Sequence, residues 1–241
     1  MPSVTKRTVW ITGASSGIGR ALSIQYAANA FEVVLSGREK RSLNELRRII
    51  RSSGGSAHVI VCDVRKRKSV ESAARAIDGT IGTPDILVNN AGVTVFKEFV
   101  QTSVEEFDDI INTNLRGSFL TTKLILPLMI ERRKGTILNV VSFAAKTTYT
   151  ESSAYAASKA GMAAMMEGLR AEVRSKGIKI VNVFPGAVLT PIWHSKVRAR
   201  HGRTMLTAEE TANMIVSISC QPSSMMVEEI VIRPQGGDID T

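Results

Sequence analysis

The chain has 241 residues, of which 44% are apolar, and this is enough for one domain with a buried core. Its 31 Lys and Arg against 22 Asp and Glu give a formal net charge of +9 at pH 7, which raises the question of a polyanionic partner. The basic runs lie far apart and aromatic residues make up only 5%, which argues against a nucleic-acid site and favours exposed helix faces.

Short apolar runs alternate with segments of helical periodicity along the chain. The predicted strands are Thr8–Thr12, Glu32–Ser36, Ala57–Cys62, Ile86–Asn89, Gly135–Val141, Lys179–Phe184 and Val227–Ile232. The predicted helices are Ile18–Ala30, Lys40–Ser52, Val70–Ile81, Val104–Glu131, Ser153–Lys176 and Ala208–Ser219. Continuous Val, Ile and Leu strands separated by helices predict an α/β fold, a doubly wound, seven-stranded parallel sheet with helices on both faces.

Three local patterns mark where helices begin and end, and one long segment breaks the alternation. Ser103-Val-Glu-Glu106 and Thr207-Ala-Glu-Glu210 are capping-box patterns, and Gly177 suits a helix C-terminus. Residues 186–206 form a segment of about 20 residues between the sixth strand and the next helix, and loops of that length tend to be functional. We predict a substrate lid at about 186–206 within a single domain of residues 1–241.

The two cysteines, Cys62 and Cys220, lie in segments that we predict to be buried. Neither has metal-ligand spacing to the three histidines, so we expect core thiols and no metal site. No apolar run reaches the ~18 residues of a membrane span and no targeting segment is visible. We therefore expect a cytoplasmic protein.

A glycine-rich turn follows the first predicted strand and opens the first predicted helix. Glycines let the backbone approach a pyrophosphate, and the helix N-terminus supplies free N–H groups and positive potential. The predicted cofactor-binding residues of this turn are Gly13, Ser15, Ser16, Gly17, Ile18 and Gly19. The turn indicates a dinucleotide site.

The end of the second predicted strand distinguishes between the two nicotinamide dinucleotides. An NAD site usually places an acid there, but this chain reads Leu35-Ser-Gly-Arg38. A guanidinium binds a 2′-phosphate through two hydrogen bonds, so Arg38 indicates NADP(H). The alternative is that Arg38 merely begins an exposed helix.

A phenol and an amine lie one helical turn apart at Tyr155 and Lys159, whereas Tyr26 and Tyr149 have no lysine at that spacing. A free phenol has a pKa near 10, and lowering it by about 3 units requires about 4 kcal/mol of differential stabilisation. Because the Lys159 ammonium favours the phenolate, this pair indicates proton transfer beside the cofactor. An ordinary buried tyrosine is the alternative.

Together these motifs resemble the single-domain, Rossmann-type members of the short-chain dehydrogenase/reductase family, and the likeness runs from Arg7 to about Pro234. Besides the glycine turn, the family pattern is matched by Cys62-Asp63-Val64, Asn89-Asn90-Ala91-Gly92, Asn114-Leu-Arg-Gly117, Ser142, Tyr155-x-x-x-Lys159 and Pro185-Gly186.

The resemblance implies further cofactor contacts. Asp63 and Val64 would flank the adenine ring, and Asn90, Ala91 and Gly92 would line the middle of the cofactor. Val188 and Thr190 would meet the nicotinamide carboxamide, and the further expected cofactor contacts are Tyr155, Lys159, Pro185 and Gly186. Plainer alternatives are that Asp63 caps a turn and that Pro185-Gly186 ends a strand.

The resemblance also implies a catalytic set of Asn114, Ser142, Tyr155 and Lys159. Ser142 and Tyr155 would bind the substrate oxygen, and Tyr155 would protonate it as hydride reaches the carbonyl carbon. Lys159 would also hold the nicotinamide ribose, and Asn114 would hold a water behind Lys159 as a proton relay. The expected enzyme is an NADP(H)-dependent oxidoreductase that interconverts a carbonyl and a secondary alcohol without a metal.

Substrate and assembly are less directly encoded. The substrate pocket is expected to be formed by residues 94–96, residues 143–150 and the lid. The basic residues of the lid either recruit a small anionic hydroxy or keto acid or simply make an exposed helix soluble. They are Lys196, Arg198, Arg200, His201 and Arg203. The C-terminal stretch resembles the branch that oxidises hydroxy acids and serine-like alcohols with NADP. The small residues of 154–171 suit a homodimer or homotetramer. A cofactor-binding sensor without turnover and a polyanion-binding protein are the other functional classes.

Overall fold

The computed structural model describes residues 6–239, and the strands within that range form one parallel sheet. The strands are β1 Thr8–Thr12, β2 Glu32–Ser36, β3 Ser56–Val59, β4 Ile86–Asn89, β5 Gly135–Val140, β6 Ile178–Pro185 and β7 Glu229–Ile232. Their order in the sheet is β3-β2-β1-β4-β5-β6-β7, with every neighbouring pair parallel. The predicted seven-stranded sheet is confirmed, although β3 ends three residues early and β7 starts two residues late.

Helices cover both faces of the sheet. They are α1 Gly17–Ala28, α2 Lys40–Ser52, α3 Arg67–Ile81, α4 Val104–Ile110, α5 Gly117–Glu131, α6 Ser153–Val173, α7 Ser195–His201 and α8 Ala208–Ser219. Side chains of β1 alternate between two apolar cores, with Ile11 packing on the side of α1, α2 and α8 and Trp10 on the side of α3, α5 and α6. The predicted doubly wound α/β fold is therefore confirmed.

The predicted helix Val104–Glu131 is not regular throughout. A π-helical stretch, Ile111–Arg116, separates α4 from α5 and contains the buried residues Thr113 and Asn114. The sequence analysis predicted one continuous helix here and did not reveal the stretch. Single π turns inside helices frequently occur at functional sites, and this one carries a predicted catalytic residue.

The segment 186–206 leaves the end of β6 and returns beside its own start, where Leu206 lies next to Val188. Val188 and Leu206 form an isolated parallel bridge, Leu189 N donates to Leu206 O at 2.8 Å, and Leu206 N donates to Ala187 O at 3.0 Å. The excursion between these bonds contains α7, a helix that the sequence analysis offered only as the alternative interpretation of the basic run. The predicted lid is thus a closed loop anchored at its base beside the carboxyl end of β6.

The three local patterns predicted to mark helix ends are confirmed, although α1 ends two residues early and α3 starts three residues early, and one cysteine prediction is wrong. Both capping boxes form, at Ser103 and at Thr207, and Gly177 has a φ of 78°. Cys62 is buried, but Cys220 is exposed because it is the C-cap residue, one position beyond the last residue of α8. Among the described helices, none is both long enough and apolar enough to cross a membrane.

Candidate active site

A cavity of about 830 Å³ opens at the carboxyl ends of the strands. We name the part lined by residues 13, 15–18, 38 and 63–65 the glycine-turn end, and the part lined by Thr94, Phe96, Ser142, Ser152 and Trp193 the aromatic end. Nearly all predicted site residues line the wall: Gly13, Ser15, Ser16, Gly17, Ile18, Arg38, Asp63, Val64, Asn90, Ala91, Gly92, Ser142, Tyr155, Lys159, Pro185, Gly186, Val188 and Thr190. The exceptions are Gly19 and Asn114, which are buried behind it.

The glycine turn is held close against β4. Gly13 has a φ of 65°, and a Cβ there would lie 2.8 Å from the Ala91 Cα. Asn90 Nδ2 donates to the carbonyl oxygens of Thr12 and Gly13 at 3.0 and 3.1 Å. A Cβ at Gly19 would overlap the Gly13 carbonyl oxygen, so the turn and the start of α1 require residues without side chains.

The N-terminus of α1 is open toward the cavity. Its N-cap residue, Ser16, makes no side-chain capping bond, so the first N–H groups of the helix are free to bind an anion. Arg38 lies exposed beyond the tip of β2 and lines the same end. These features fit the pyrophosphate and the 2′-phosphate of the expected dinucleotide.

Asp63 lines the glycine-turn end and also closes its own turn, as in the plainer sequence interpretation. Its Oδ1 accepts from the Arg65 backbone N–H at 3.1 Å, and its two oxygens accept from the Arg65 guanidinium at 3.0 and 2.9 Å. These bonds lower the pKa of Asp63. Arg65, which the sequence prediction missed, also donates to Asp109 at 2.6 Å and so ties the turn to α4.

Ser142 and Tyr155 come together where β5 ends and α6 begins. Ser142 follows the last strand residue by two positions, and its hydroxyl accepts from Ala144 N–H at 3.1 Å. Tyr155 lies in the first turn of α6. Burial raises the pKa of its phenol, and the hydrogen bond with Ser142 partly opposes this rise. Both residues line the cavity.

Lys159 lies one turn beyond Tyr155 and is buried. Its Nζ donates to the Val140 carbonyl oxygen at 2.8 Å and lies 5.8 Å from the centre of the Tyr155 ring. Burial lowers the pKa of this amine to about 8. Within the site, Lys159 thus places a titratable positive charge beside a phenol that must ionise to act as a base.

Asn114 lies in the π-helical stretch and joins two walls of the site. Its Oδ1 accepts from Val93 N–H at 2.9 Å, while its Nδ2 donates to Val93 O at 3.0 Å and to Ser158 Oγ at 2.9 Å. The loop after β4 is thereby fixed to α6 at the residue before Lys159. The water relay expected for Asn114 stays a prediction.

The aromatic end is closed by a ring pair and a basic helix. Phe96 and Trp193 stack with centroids 5.0 Å apart and planes 8° from parallel, and Trp193 Nε1 donates to Val188 O at 3.0 Å. Of the basic lid residues, Lys196, Arg200 and His201 line the cavity, whereas Arg198 donates to the Trp193 carbonyl oxygen at 3.2 Å.

The C-terminal segment also reaches the cavity, which the sequence analysis did not predict. Asp238 pairs with Arg233 at 2.8 Å, and the Arg233 guanidinium lies 4.1 Å from the centre of the Phe143 ring. Burial, reinforced by the nearby Asp238, raises the pKa of Tyr149 to about 12. No local motif marks Asp238, because only the return of the chain past β7 brings it here.

The arrangement can bind a phosphorylated dinucleotide along one end and present a carbonyl oxygen to two hydroxyls at the other. Its buried amine lies beside the phenol, where a positive charge would favour the phenolate. These are the requirements for a hydride transfer coupled to a proton transfer.

The chain is similar to known proteins over most of its length. The model of the short chain dehydrogenase family matches residues 7–201. A sepiapterin reductase of Chlorobaculum tepidum is 36% identical over 241 residues, covering 97% of this chain and 98% of the relative.

Two solved structures are also similar across most of the chain. An alcohol dehydrogenase of Thermococcus sibiricus, complexed with 5-hydroxy-NADP, superposes with a TM-score of 0.89 at 25% identity, covering 98% of this chain and 100% of the other. A closed serine dehydrogenase with NADP+ gives 0.87 at 26% identity, covering 93% and 94%.

Proposed function

This chain is a member of the short-chain dehydrogenase family of oxidoreductases, and we propose that it interconverts a carbonyl compound and a secondary alcohol using NADP(H). The observation that carries the proposal is the convergence of Ser142, Tyr155 and Lys159 on one cavity whose other end is the glycine turn. A binding protein without turnover has no need of a lysine buried beside the phenol.

NADP(H) is the cofactor that the glycine-turn end fits. The backbone of Gly13 and Gly17 and the free N–H groups of α1 would hold its phosphates, and Arg38 would bind the 2′-phosphate. Asp63 and Val64 would flank the adenine, and Lys159 would hold the ribose next to the nicotinamide. When bound, the cofactor supplies or accepts the hydride.

Proton transfer falls to the residues of the chain itself. In reduction, the Tyr155 phenol donates its proton to the substrate oxygen while the Ser142 hydroxyl donates a hydrogen bond to the same atom. The Lys159 ammonium stabilises the phenolate that this leaves. In oxidation the phenolate accepts the alcohol proton, so Tyr155 acts as general base in one direction and general acid in the other.

The substrate class rests on two features of the aromatic end. Lys196 and Arg200 at the rim favour a small anionic hydroxy or keto acid, because they would attract a carboxylate. The stacked rings of Phe96 and Trp193 favour instead a planar carbonyl substrate, in keeping with the name of the sepiapterin reductase relative.

We also propose that the protein works in the cytoplasm as a homodimer or homotetramer. On α6 the small residues Ala157, Ala160, Ala164 and Gly168 are exposed at helical spacing, which lets a second helix approach closely. Analytical ultracentrifugation tests the assembly, and sedimentation as a monomer would contradict it.

The test is the oxidation of NADPH and NADH, followed at 340 nm, across ketones, aldehydes, keto acids and planar heteroaromatic ketones. Wild-type protein should turn over with NADPH, and Tyr155→Phe should lower kcat/KM by about 10²–10⁴-fold, the usual contribution of general acid catalysis. NADPH affinity, measured by fluorescence titration, should stay the same.

Binding of NADPH without turnover of any substrate would contradict the catalytic proposal and support a sensor. Nucleic-acid binding that weakens steeply with salt and ignores NADPH would support the polyanion-binding alternative.

A further inference from the structure

Three hydroxyl groups of the described residues are buried without a hydrogen-bond partner, and all three belong to residues that line the cavity. They are Thr94 Oγ1, Thr113 Oγ1 and Ser152 Oγ. Buried hydroxyls in proteins almost always have a partner, so a cluster of exceptions in one cavity requires an explanation. Groups that bind a ligand explain it directly, because the ligand then supplies the partner.

Ser152 gives the sharpest of these observations. It is the N-cap residue of α6 and only 3% exposed, yet its side chain makes no capping bond. Two other hydroxyl N-caps, Ser103 and Thr207, each accept a bond from the N–H of the glutamate three residues on, whereas Ser16, at the open start of α1, makes no capping bond either. The hydroxyl of Ser152 has been left free beside the cavity, one helical turn before Tyr155.

The backbone around Ser152 is held in place at a conformational cost. Glu151, the preceding residue, has a φ of 57°, a region that residues with side chains rarely adopt. Its carbonyl oxygen accepts from Lys97 N–H at 2.9 Å, which joins this turn to the loop that carries Thr94. Strained backbone persists where the surrounding structure enforces it, and here it directly precedes the residue with the free hydroxyl.

Thr94 lies in a loop that is equally well fixed. The preceding residue, Val93, is bonded through both its N–H and its carbonyl oxygen to Asn114. Thr94 and Ser152 therefore belong to two segments that the Lys97–Glu151 bond brings together at the aromatic end. Thr113 lies elsewhere, since it shares a helix face with Gly117, which is in contact with Val64 at the glycine-turn end.

We propose that Thr94 and Ser152 are substrate-binding residues whose hydroxyls bind a second oxygen next to the reacting carbonyl; the proposal rests on the function proposed above. Ser152 precedes Tyr155 by one turn at the start of α6, and both line the cavity together with Thr94, so a substrate oxygen held by Ser152 and Thr94 would lie near the oxygen that Tyr155 binds. A hydroxyl both donates and accepts, so the second oxygen belongs to a carbonyl, a hydroxyl or a carboxylate. The substrate class is then 1,2-dicarbonyl compounds, α-hydroxy ketones and 2-keto acids.

The experiment compares substrates that share a skeleton. kcat/KM with NADPH is measured for 2,3-butanedione, 3-hydroxy-2-butanone and 2-butanone in wild type, Ser152→Ala, Thr94→Val and the control Ser153→Ala, which removes the exposed neighbouring hydroxyl. For 2,3-butanedione and 3-hydroxy-2-butanone, which carry a second oxygen, kcat/KM relative to that for 2-butanone should fall by about 10-fold in each of the first two variants. This is the effect of one lost hydrogen bond. The control should keep the wild-type ratio.

Stability separates this role from a structural one. Because the hydroxyls have no protein partner, their removal should leave Tm unchanged or raise it, and NADPH affinity should not move. A second measurement does not depend on turnover. With NADP+ bound, 2,3-butanediol should raise the Tm of wild type, and Ser152→Ala should abolish this rise.

Unchanged ratios, a lowered Tm, or the absence of a diol effect in wild type would each overturn the proposal. If wild type reduced none of the carbonyl compounds tested, the function itself would fail. Turnover by wild type, with kcat/KM ratios that the variants do not alter, would contradict only the second-oxygen site and leave the proposed function intact.

Discussion

The part of the glycine-turn end that would hold phosphates comes from one contiguous stretch, the glycine turn and the start of α1, whereas the aromatic end is lined by side chains from distant segments. The glycine turn holds Gly13, Gly17 and the start of α1 in one stretch of sequence. Asn90, just after the neighbouring strand β4, is hydrogen-bonded to the carbonyl oxygens at its start. The aromatic end needs Phe96 from the loop after β4 and Trp193 from the lid, together with the C-terminal segment.

This difference has a physical basis. A dinucleotide presents phosphates that any correctly shaped backbone can bind, so the binding element is short and contiguous. A substrate is recognised by shape and by individual polar groups, which few contiguous residues can surround. Variants at the two ends should accordingly affect cofactor affinity and substrate preference separately.

The largest effect on the glycine-turn end is expected from Gly19→Ala. The new methyl group would overlap the Gly13 carbonyl oxygen and Asn90 Nδ2, and backbone cannot move aside easily. Overpacking costs about 1–3 kcal/mol or more, so the Kd for NADPH should rise by about 100-fold in a fluorescence titration.

Gly79→Ala is the matched control, because a Cβ there meets nothing within 4 Å. It should bind NADPH like wild type and be somewhat more stable, since Gly in a helix interior is less favourable than Ala. Normal NADPH binding by Gly19→Ala would show that the turn does not need the close approach.

Lys159 lies where the two ends meet, and its burial should destabilise the fold at neutral pH. Its pKa falls to about 8, so the unfolded chain binds more protons than the native chain between pH 8 and 10.5. Native stability relative to Lys159→Met should therefore rise with pH across that window, by about 3 kcal/mol in total.

Urea denaturation of the cofactor-free protein at intervals from pH 7 to 10.5 measures this difference. Cys62 and Tyr149 also have raised pKa values, but they contribute equally to the pH dependence of stability in both proteins, so their contribution cancels in the difference. A difference that does not change with pH would mean that Lys159 titrates normally in the native state.

The sequence predicted what is local or periodic. The Tyr155–Lys159 pair depends on helical spacing alone, and β1, β2 and β4 end at their predicted residues because their apolar runs end there. The π-helical stretch around Asn114 escaped prediction, since inserting one residue into a turn scarcely alters the apolar pattern.

Features that depend on contacts between distant segments could not be predicted from the sequence. Asp238 reaches the cavity through its pairing with Arg233, and the free hydroxyl of Ser152 is visible only once its expected capping bond proves absent. The burial of Cys220 was predicted wrongly for a related reason, because one residue beyond a helix end decides between core and solvent.

Arg38→Leu tests the one side chain that the glycine-turn end depends on for cofactor choice. Hydrogen bonds to a charged group contribute about 1.5–3 kcal/mol, so the Kd for NADPH should rise about 10- to 100-fold while that for NADH stays the same. Arg41→Leu removes a nearby exposed cation that pairs with Glu45 and should alter neither value. Equal weakening by both variants would indicate only a general effect of positive charge.

Phe96→Leu should give the smallest effect and confine it to the aromatic end. Leucine keeps most of the apolar volume but removes the stack on Trp193, and such aromatic pairs contribute about 0.5–1.5 kcal/mol beyond the area they bury. kcat/KM for a planar heteroaromatic ketone should fall about 3- to 10-fold relative to a small aliphatic ketone, with the Kd for NADPH unchanged. Phe99→Leu, at a ring that is 81% exposed, should leave the ratio as in wild type. A parallel loss of NADPH affinity in Phe96→Leu would show that the two ends are coupled through Trp193, whose indole is bonded to Val188.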